Sequence, residues 1–413
     1  MTGHRMAAVD AQFYWMSAKI PNDEFLLYAF DGEPADYPAA ADQLRRRADA
    51  EPALSIRVRD RGRLRYPHWV PAAVAPAQVV SHELAEHSWD GCLAAVAGLA
   101  DDQLDLRRMA WRLHVFGPVR GIPGVRGPGT VAVLQVAHAL ADGARAAALA
   151  ARLFGRAAPV PEVPVPRPGW LPWRAAVAAR THRQLVRDTR AGRLAPGAGP
   201  RPLLPTNARP AGVRSLRTLV RHRAQLPGPT ATVGVLGAVA QALSDLLGDQ
   251  ADSLGAEVPM AKPGAPQAYN HFGNVVVDLH PRLGAQARAE RIAAGLAAGR
   301  RRFGHPATRA ADRAFAAVPA ALLRWGVDQF DADQRPDQVA GNTVVSSVNR
   351  GPADLSFGGA RVVLTAGYPA LSPVMGLTHG VHGIGDTIAI SVHAAASAVP
   401  DVDAYLALLD AAL

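Results

Sequence analysis

The stretch "VAVLQVAHALADGARAAALAARLFG" (131–155) holds a strand, a turn and a helix in immediate succession. Residues 131–136 are apolar except for Gln135 and rich in valine, which is typical of a buried strand. Asp142 can cap the alanine-rich helix that follows, and Gly143 allows a sharp turn before it. The pattern predicts an α/β domain in which His138 lies just past the end of a buried strand.

His138 is a candidate general base. A histidine past a strand end can reach a cleft while its backbone stays fixed, and an imidazole with a pKa near neutrality can accept a proton. Asp142 could also pair with an arginine and hold the shape of the turn. The spacing His-x-x-x-Asp-Gly is loose, however, and a hydrogen-bonded structural histidine would show the same pattern.

The composition indicates a globular protein with two domains. The chain has 413 residues, of which 49% are hydrophobic and 19% charged. A single cysteine, Cys92, excludes an internal disulfide and a cysteine-based metal cluster. The N-terminus has no secretory pattern, and the longest apolar stretch, 230–247, is short and contains polar residues. We expect a cytoplasmic protein.

The net charge of +9 comes almost entirely from arginine, since Lys19 and Lys262 are the only lysines. It favours an anionic small molecule or a membrane surface as partner. Nucleic acid is not expected, because no recognition motif with interleaved aromatic residues is present. The stretches 57–65 and 213–223 are candidate phosphate-binding arginine clusters.

The histidines near the C-terminus do not predict a metal site. His379, His382 and His393 lie close together in sequence, but only Asp386 stands near them at ligand spacing. We interpret 376–386 as a glycine-rich hairpin turn.

The order of elements divides the chain into an N-terminal domain (1–157), a linker (158–212) and a C-terminal domain (213–413). Proline-rich and irregular stretches flank a basic helix at 174–193, which is either a solvated linker helix or a helix resting on a membrane behind Trp170 and Trp173. The predicted strands are 25–30, 54–59, 110–119, 129–138, 213–226, 257–260, 274–280, 342–348, 359–369 and 387–395. The predicted helices are 35–52, 90–105, 174–193, 231–249, 289–303 and 401–413.

The segment "AHALADG" (137–143) resembles the HHxxxDG signature of the CoA-dependent acyltransferase superfamily, which includes chloramphenicol acetyltransferase and condensation domains. Other segments resemble one branch, the bacterial wax ester synthase/diacylglycerol acyltransferase (WS/DGAT) family. They follow the family's order along nearly the whole chain: "AAVDAQFYWM" (7–16), matching at Asp10 and Phe13, "LDLRRMAWRLHVF" (104–116), "PLLPTNARPAGVRSLRT" (202–218), "GNVVVDLHP" (273–281) and "VVSSVNRGPADLSFGGARV" (344–362).

The resemblance implies two chloramphenicol-acetyltransferase-like domains with mixed sheets, joined by a crossover, with an active-site tunnel between them. A fatty acyl group would pass from acyl-CoA to a long-chain alcohol or diacylglycerol. No metal, acyl-enzyme or cofactor is implied, acyl-CoA being a co-substrate. The implied roles are general base for His138, structural for Asp142, and substrate binding for Gly143, Trp111, Asn274, Ser346 and Ser347.

The sequence departs from the family at three motif positions. Ala110 stands where the family has a proline next to Trp111. Ala137 replaces the first signature histidine, and Thr232-Val233 stand where the family has an Asn-Asp pair. Two alternatives therefore stay open. The donor could be a carrier-protein thioester and the acceptor a polyketide or glycolipid, or the chain could bind lipid without catalysis. Free access to His138 would argue against the last alternative. Whether the donor is acyl-CoA or a carrier-protein thioester, the enzyme could contact a membrane or lipid-droplet surface.

Overall fold

The computed structural model describes residues 3–165 and 167–413, so residues 1 and 2 of the predicted N-terminal domain and residue 166 of the predicted linker lie outside it. The strands, in chain order, are β1 (His4–Arg5), β2 (Glu24–Asp31), β3 (Ile56–Arg59), β4 (His68–Pro71), β5 (Val79–His82), β6 (Trp111–Val119), β7 (Gly129–Val136), β8 (Arg201–Pro202), β9 (Arg214–His222), β10 (Gly255–Ala261), β11 (Phe272–Asp278), β12 (Gln338–Val339), β13 (Thr343–Asn349), β14 (Ser356–Phe357), β15 (Ala360–Gly367), β16 (Leu377–Ile384) and β17 (Thr387–Ala395).

The helices are α1 (Ala8–Met16), α2 (Tyr37–Asp49), α3 (Trp89–Leu99), α4 (Gly143–Leu153), α5 (Leu171–Arg190), α6 (Ala231–Leu247), α7 (Ala285–Gly304), α8 (Pro306–Ala316), α9 (Ala320–Asp328) and α10 (Val402–Ala411). Side chains at several N-caps bind the first free backbone N–H groups: Asp36 before α2, Asp142 before α4, Thr230 before α6 and Asp401 before α10.

The first large sheet has the strand order β14-β15-β2-β7-β6-β5, antiparallel except for the β5–β6 pair. Strand β2 alternates between two cores. Leu26, Tyr28 and Phe30 belong to the core that includes residues of α2 and α4, while Leu27 and Ala29 belong to the core that includes residues of α3. Strand β7, which pairs with β2, is buried along its whole length. It ends at Val136, two residues before His138.

The second large sheet has the order β11-β10-β13-β16-β17-β9, in which β13 runs parallel to both β10 and β16. Helices α6, α7 and α10 share a hydrophobic core with one of its faces. Two mixed α/β sheets with helices confirm the predicted fold class. One helix, Ala231–Ser253, is long and apolar enough to cross a membrane by composition, and half of it is buried inside the protein.

The two sheets do not divide at the predicted domain boundaries. Strands β14 and β15 come from the C-terminal half of the chain, yet β15 pairs with β2 in the first sheet. The first sheet therefore contains residues from both sides of the predicted linker. Between residues 158 and 212, only α5 is a long helix, and it packs beside α8.

The structure corrects the interpretation of 376–386 as a hairpin turn. Residues 377–384 form the fully buried strand β16, because β13 and β17 pair on its two sides. His379 is held there by Thr343, 2.9 Å from Nδ1, and by the Tyr405 hydroxyl, 2.7 Å from Nε2. Burial lowers the pKa of His379 to about 3, so this histidine is a neutral core residue. Five of the other elements were not predicted from the sequence, namely α1, β4, β5, α8 and α9.

Candidate active site

The imidazole of His138 lies against aromatic rings from both halves of the chain. The ring of Phe13, on α1, stacks on it at a centroid distance of 3.9 Å, and the ring of Phe272, on β11, lies 5.6 Å away on a nearly parallel plane. The side chain is 18% exposed, so the packed imidazole still has access to solvent. Its Nδ1 atom is buried and has no hydrogen-bond partner among the described residues.

Asp142 joins the signature turn to the second half of the chain. One carboxylate oxygen accepts from the backbone N–H of Arg145 at 2.9 Å, which caps α4, and the other accepts from the N–H of His271 at 2.9 Å. The Asp142 N–H also donates to the Tyr269 carbonyl. These bonds fit the structural role that the resemblance implies for Asp142.

Asp10 binds the same segment from α1. Its buried carboxylate accepts from the backbone N–H groups of Tyr269 and Asn270 and from Nδ2 of Asn270, each at 3.0 Å. The Asn270 amide also donates to the His138 carbonyl at 2.7 Å. Burial raises the pKa of Asp10 to about 7, against the effect of these bonds. The motif match at Asp10 thus has a physical basis: it fixes the backbone of His138.

Glu24, on β2, is a site residue that the sequence analysis missed. Its Oε1 lies 3.6 Å from Nε2 of His138, and its side chain is 24% exposed. Burial, and then the negative charge of Asp142, raise the pKa of Glu24 to about 8, whereas burial lowers the pKa of His138. Near pH 7 the carboxyl is mostly protonated and the imidazole is neutral, which is the form that a general base requires.

The predicted pair Ser346-Ser347 is split by the alternation of β13. Ser347 faces α6, where its hydroxyl lies 2.8 Å from the Thr232 hydroxyl. Val348 faces the other half of the chain, since a Cβ on Gly143 would lie 3.2 Å from its Cγ2. Because side chains alternate along a strand, Ser346 shares the face of Val348 toward the signature turn.

Two other predicted substrate-binding residues lie elsewhere. Asn274 is exposed on β11, and its amide donates to Glu257 at 3.0 Å. Trp111 is fully buried in the core of the first half, and its indole N–H donates to the Leu54 carbonyl at 2.8 Å. The structure therefore corrects the role of Trp111: it is a core residue, and its motif match reflects packing.

A cleft of about 1200 Å³ opens beside the site. Its wall reaches Asn270 and His271, whose backbones are bound to Asp10 and Asp142. The cations that line it are Arg167, Arg174, Lys262, Arg309 and Arg313, with a single acid, Asp312, paired to Lys262 at 2.7 Å.

The arginine clusters predicted from sequence do not line this cleft. In the stretch 213–223, Arg214, Arg217 and Arg221 form ion pairs with Asp101, Asp403 and Asp410, respectively. In the stretch 57–65, Arg63 pairs with Asp328. These arginines are engaged with carboxylates outside the cleft. Among residues 3–165 and 167–413, no group of three or more His, Cys, Asp or Glu side chains could hold a metal ion.

The titration of Glu24 generates a prediction about stability. An acid whose pKa is higher in the folded than in the unfolded protein makes folding less favourable as pH rises through that interval. Glu24→Gln removes this titration without removing a hydrogen bond. Relative to wild type, the variant should gain on the order of 2 kcal/mol of unfolding free energy between pH 5 and pH 8.5. Urea denaturation at both pH values measures this. A difference that does not change with pH would contradict the raised pKa.

Comparison with known proteins gives a family match and a shared fold. The family model of the WS/DGAT C-terminal domain matches residues 269–413, beginning at the segment that Asp10 and Asp142 bind. No curated protein sequence matches the chain.

Several solved structures share the fold over nearly the full length. The wax ester synthase/diacylglycerol acyltransferase from Marinobacter aquaeolei VT8 is 19% identical, with a TM-score of 0.61 and coverage of 99% of this chain and 97% of that chain. A mutant starter condensation domain of rhizomide synthetase RzmA, in complex with C8-CoA and Leu-SNAC, is 15% identical, with a TM-score of 0.60 and coverage of 99% and 92%.

The first condensation domain of the calcium-dependent antibiotic synthetase is similar at 14% identity, with a TM-score of 0.62 and coverage of 99% of this chain and 94% of that chain. At these sequence identities the solved structures show only the fold. The family model assigns the C-terminal part of this chain, residues 269–413, to the WS/DGAT C-terminal domain. Together they confirm the resemblance drawn from the motifs: residues 269–413 match the WS/DGAT C-terminal domain, and the whole chain shares the fold of a wax ester synthase/diacylglycerol acyltransferase and of condensation domains.

Proposed function

We propose that this protein transfers a fatty acyl group from acyl-CoA to the hydroxyl of a lipid alcohol, either a long-chain alcohol or a diacylglycerol, with His138 as general base. The observation that carries the proposal is the fixed, neutral and partly exposed imidazole of His138, beside a cationic cleft whose wall reaches Asn270 and His271. The reaction proposed needs no metal and no resident cofactor.

The geometry of His138 indicates which nitrogen acts. Nδ1 is buried, so Nε2, which faces Glu24, is the atom that can meet the acceptor. It would take the hydroxyl proton as the acceptor oxygen attacks the thioester carbonyl. The carbon–sulfur bond of the tetrahedral intermediate then breaks, and the leaving thiolate of CoA takes the proton from the imidazolium. No acyl-enzyme forms.

The negative oxygen of the tetrahedral intermediate needs a hydrogen-bond donor. Ser346 is the better candidate of the predicted pair, because its side chain faces the signature turn while the Ser347 hydroxyl is engaged with Thr232. A donor of this kind contributes roughly 3–4 kcal/mol to transition-state stabilisation.

The cationic cleft is the proposed site of the donor. Arginine binds phosphate through charge-assisted hydrogen bonds, and CoA carries several phosphate groups. The positive charge of four arginines and one lysine, with a single acid among the described lining residues, therefore complements the phosphate groups of acyl-CoA. The RzmA condensation domain was solved in complex with C8-CoA. An acidic carrier protein would also complement this charge.

The experiment that tests the function follows CoA release from palmitoyl-CoA by the purified protein, with hexadecanol, with a diacylglycerol and with no acceptor. Acceptor-dependent release is expected, and His138→Ala should reduce it at least about a hundredfold. His222→Ala, an exposed histidine at the end of β9, is the matched control and should keep wild-type activity.

Two outcomes would overturn parts of the proposal. Release that persists in a folded His138→Ala protein would exclude His138 as the base. Absence of release from palmitoyl-CoA, with transfer from an acyl carrier protein instead, would replace CoA by a carrier-protein thioester as the donor.

Substitution of the cleft arginines tests the donor site. The double variant Arg309→Ala/Arg313→Ala removes two cations from the cleft wall, and the KM for palmitoyl-CoA should rise about tenfold, most strongly at low salt. Arg126→Ala is the control, because Arg126 is exposed in the loop before β7, at the opposite end of that strand from His138. An unchanged KM would place the CoA phosphates outside this cleft.

We also propose that the rim of the cleft contacts an anionic lipid surface, a membrane or a lipid droplet, from the cytoplasm. Trp170 and Trp173 are 72% and 63% exposed, and they lie between Arg167 and Arg174, which line the cleft. Exposed indoles beside arginines are typical of interfacial segments. A lipid acceptor could then enter the protein without crossing water.

Sedimentation with phosphatidylglycerol-containing vesicles tests this contact. Trp170→Ser/Trp173→Ser should lower the vesicle-bound fraction about tenfold, because two large apolar side chains no longer insert. Trp325→Ser, an equally exposed indole on α9, is the matched control. Equal loss in the control and the double variant would exclude a specific role for the rim.

A further inference from the structure

Glu24 stands where the pattern of its strand calls for an apolar side chain. On β2, Glu24 shares a face with Leu26, Tyr28 and Phe30, all of which are buried in the core of the first half. It is directly opposite the buried Val136 of β7. A carboxyl at such a position costs stability, as the rise of its pKa indicates, so packing does not account for it.

The Glu24 carboxyl has no hydrogen-bond partner among the described residues. Its Oε1 lies 3.6 Å from Nε2 of His138, which is too long for a hydrogen bond. The adjacent Asp23 points to the other face of β2, where it accepts from Leu104 and Gln135. Arg350 is buried and donates to the Leu27 carbonyl and to Thr365. Glu24 is thus a free carboxyl directed at the reacting edge of the imidazole.

The position of Glu24 has a consequence for any acceptor. The attacking hydroxyl must lie within about 3 Å of Nε2, and therefore within a few ångströms of the Glu24 carboxyl. A purely aliphatic chain beside that hydroxyl would bury the carboxyl without a partner. A second hydroxyl on the neighbouring carbon, about 3 Å from the first, would reach it with a hydrogen bond.

We propose that Glu24 is a specificity-determining residue that selects acceptors bearing a 1,2-diol unit, one hydroxyl on Nε2 of His138 and its neighbour on the Glu24 carboxyl. The inference rests on the proposed acyl transfer and predicts that lipids with two adjacent free hydroxyls, such as a monoacylglycerol, are better acceptors than the long-chain alcohol or the diacylglycerol named above. No proton transfer to Glu24 is involved, and the carboxyl orients the diol by hydrogen bonding. A site built to bind a hydroxyl discriminates strongly against the analogue that lacks it.

The test compares two acceptors of equal chain length, 1,2-hexadecanediol and 1-hexadecanol, with palmitoyl-CoA as donor. Wild type should show a kcat/KM for the diol at least about tenfold above that for the alcohol. Glu24→Gln, which keeps a hydrogen-bonding side chain of the same size, should retain most of this ratio. Glu24→Leu should lower the ratio to no more than about two, the upper limit set by the number of hydroxyls, by losing diol turnover and gaining hexadecanol turnover.

The ratio is measured within one protein sample, so a partly folded variant does not change it. A wild-type ratio near two, or a ratio that Glu24→Leu leaves unchanged, would overturn the role of Glu24 while leaving acyl transfer intact. Transfer to neither acceptor by wild type would overturn the proposed function, and this inference with it. Turnover of the alcohol without the diol would overturn the inference alone.

Discussion

The site depends on two carboxylates that bind one short segment of backbone. Asp10 on α1 and Asp142 at the start of α4 together accept hydrogen bonds from the backbone N–H groups of residues 269–271. That segment leads directly into β11 and places Phe272 against His138. The position of the imidazole relative to the second half is therefore determined by hydrogen bonds from the backbone of 269–271, together with the bonds that the Asn270 side chain donates to Asp10 and to the His138 carbonyl.

Burial of carboxyl groups gives the site its electrostatic character. Asp10 and Glu24 both have raised pKa values, because each is removed from water without a full ion pair. The same burial lowers the pKa of His138. Burial thus favours the neutral form of all three groups: Glu24 is mostly protonated near pH 7, Asp10 titrates near that pH, and His138 is neutral. Burial of these groups lowers the stability of the fold, and the large apolar core offsets that loss. The burial leaves His138 as a neutral imidazole that can accept a proton.

The sequence predicted the elements around the site better than its detailed contacts. The strand–turn–helix of 131–155 follows from local rules of periodicity and capping, and most longer strands and helices were correct for that reason. Strand β16 was missed because glycines and histidines are common in turns. Its extended conformation is instead fixed by pairing with strands on both sides. Glu24 was missed because its proximity to His138 depends on the pairing of β2 with β7 across more than a hundred residues. Trp111 was assigned to substrate because a motif does not distinguish a core residue from a site residue.

The pairing of β15 with β2 has a consequence for synthesis on the ribosome. Until residues 360–367 emerge, β2 has a partner on one side only, and its exposed edge is the apolar stretch that contains Leu27 and Phe30. An unpaired apolar edge strand promotes association with other chains. The first half therefore cannot complete its sheet while the second is still being made, and nascent chains would be most prone to aggregate, or to need a chaperone, during that interval.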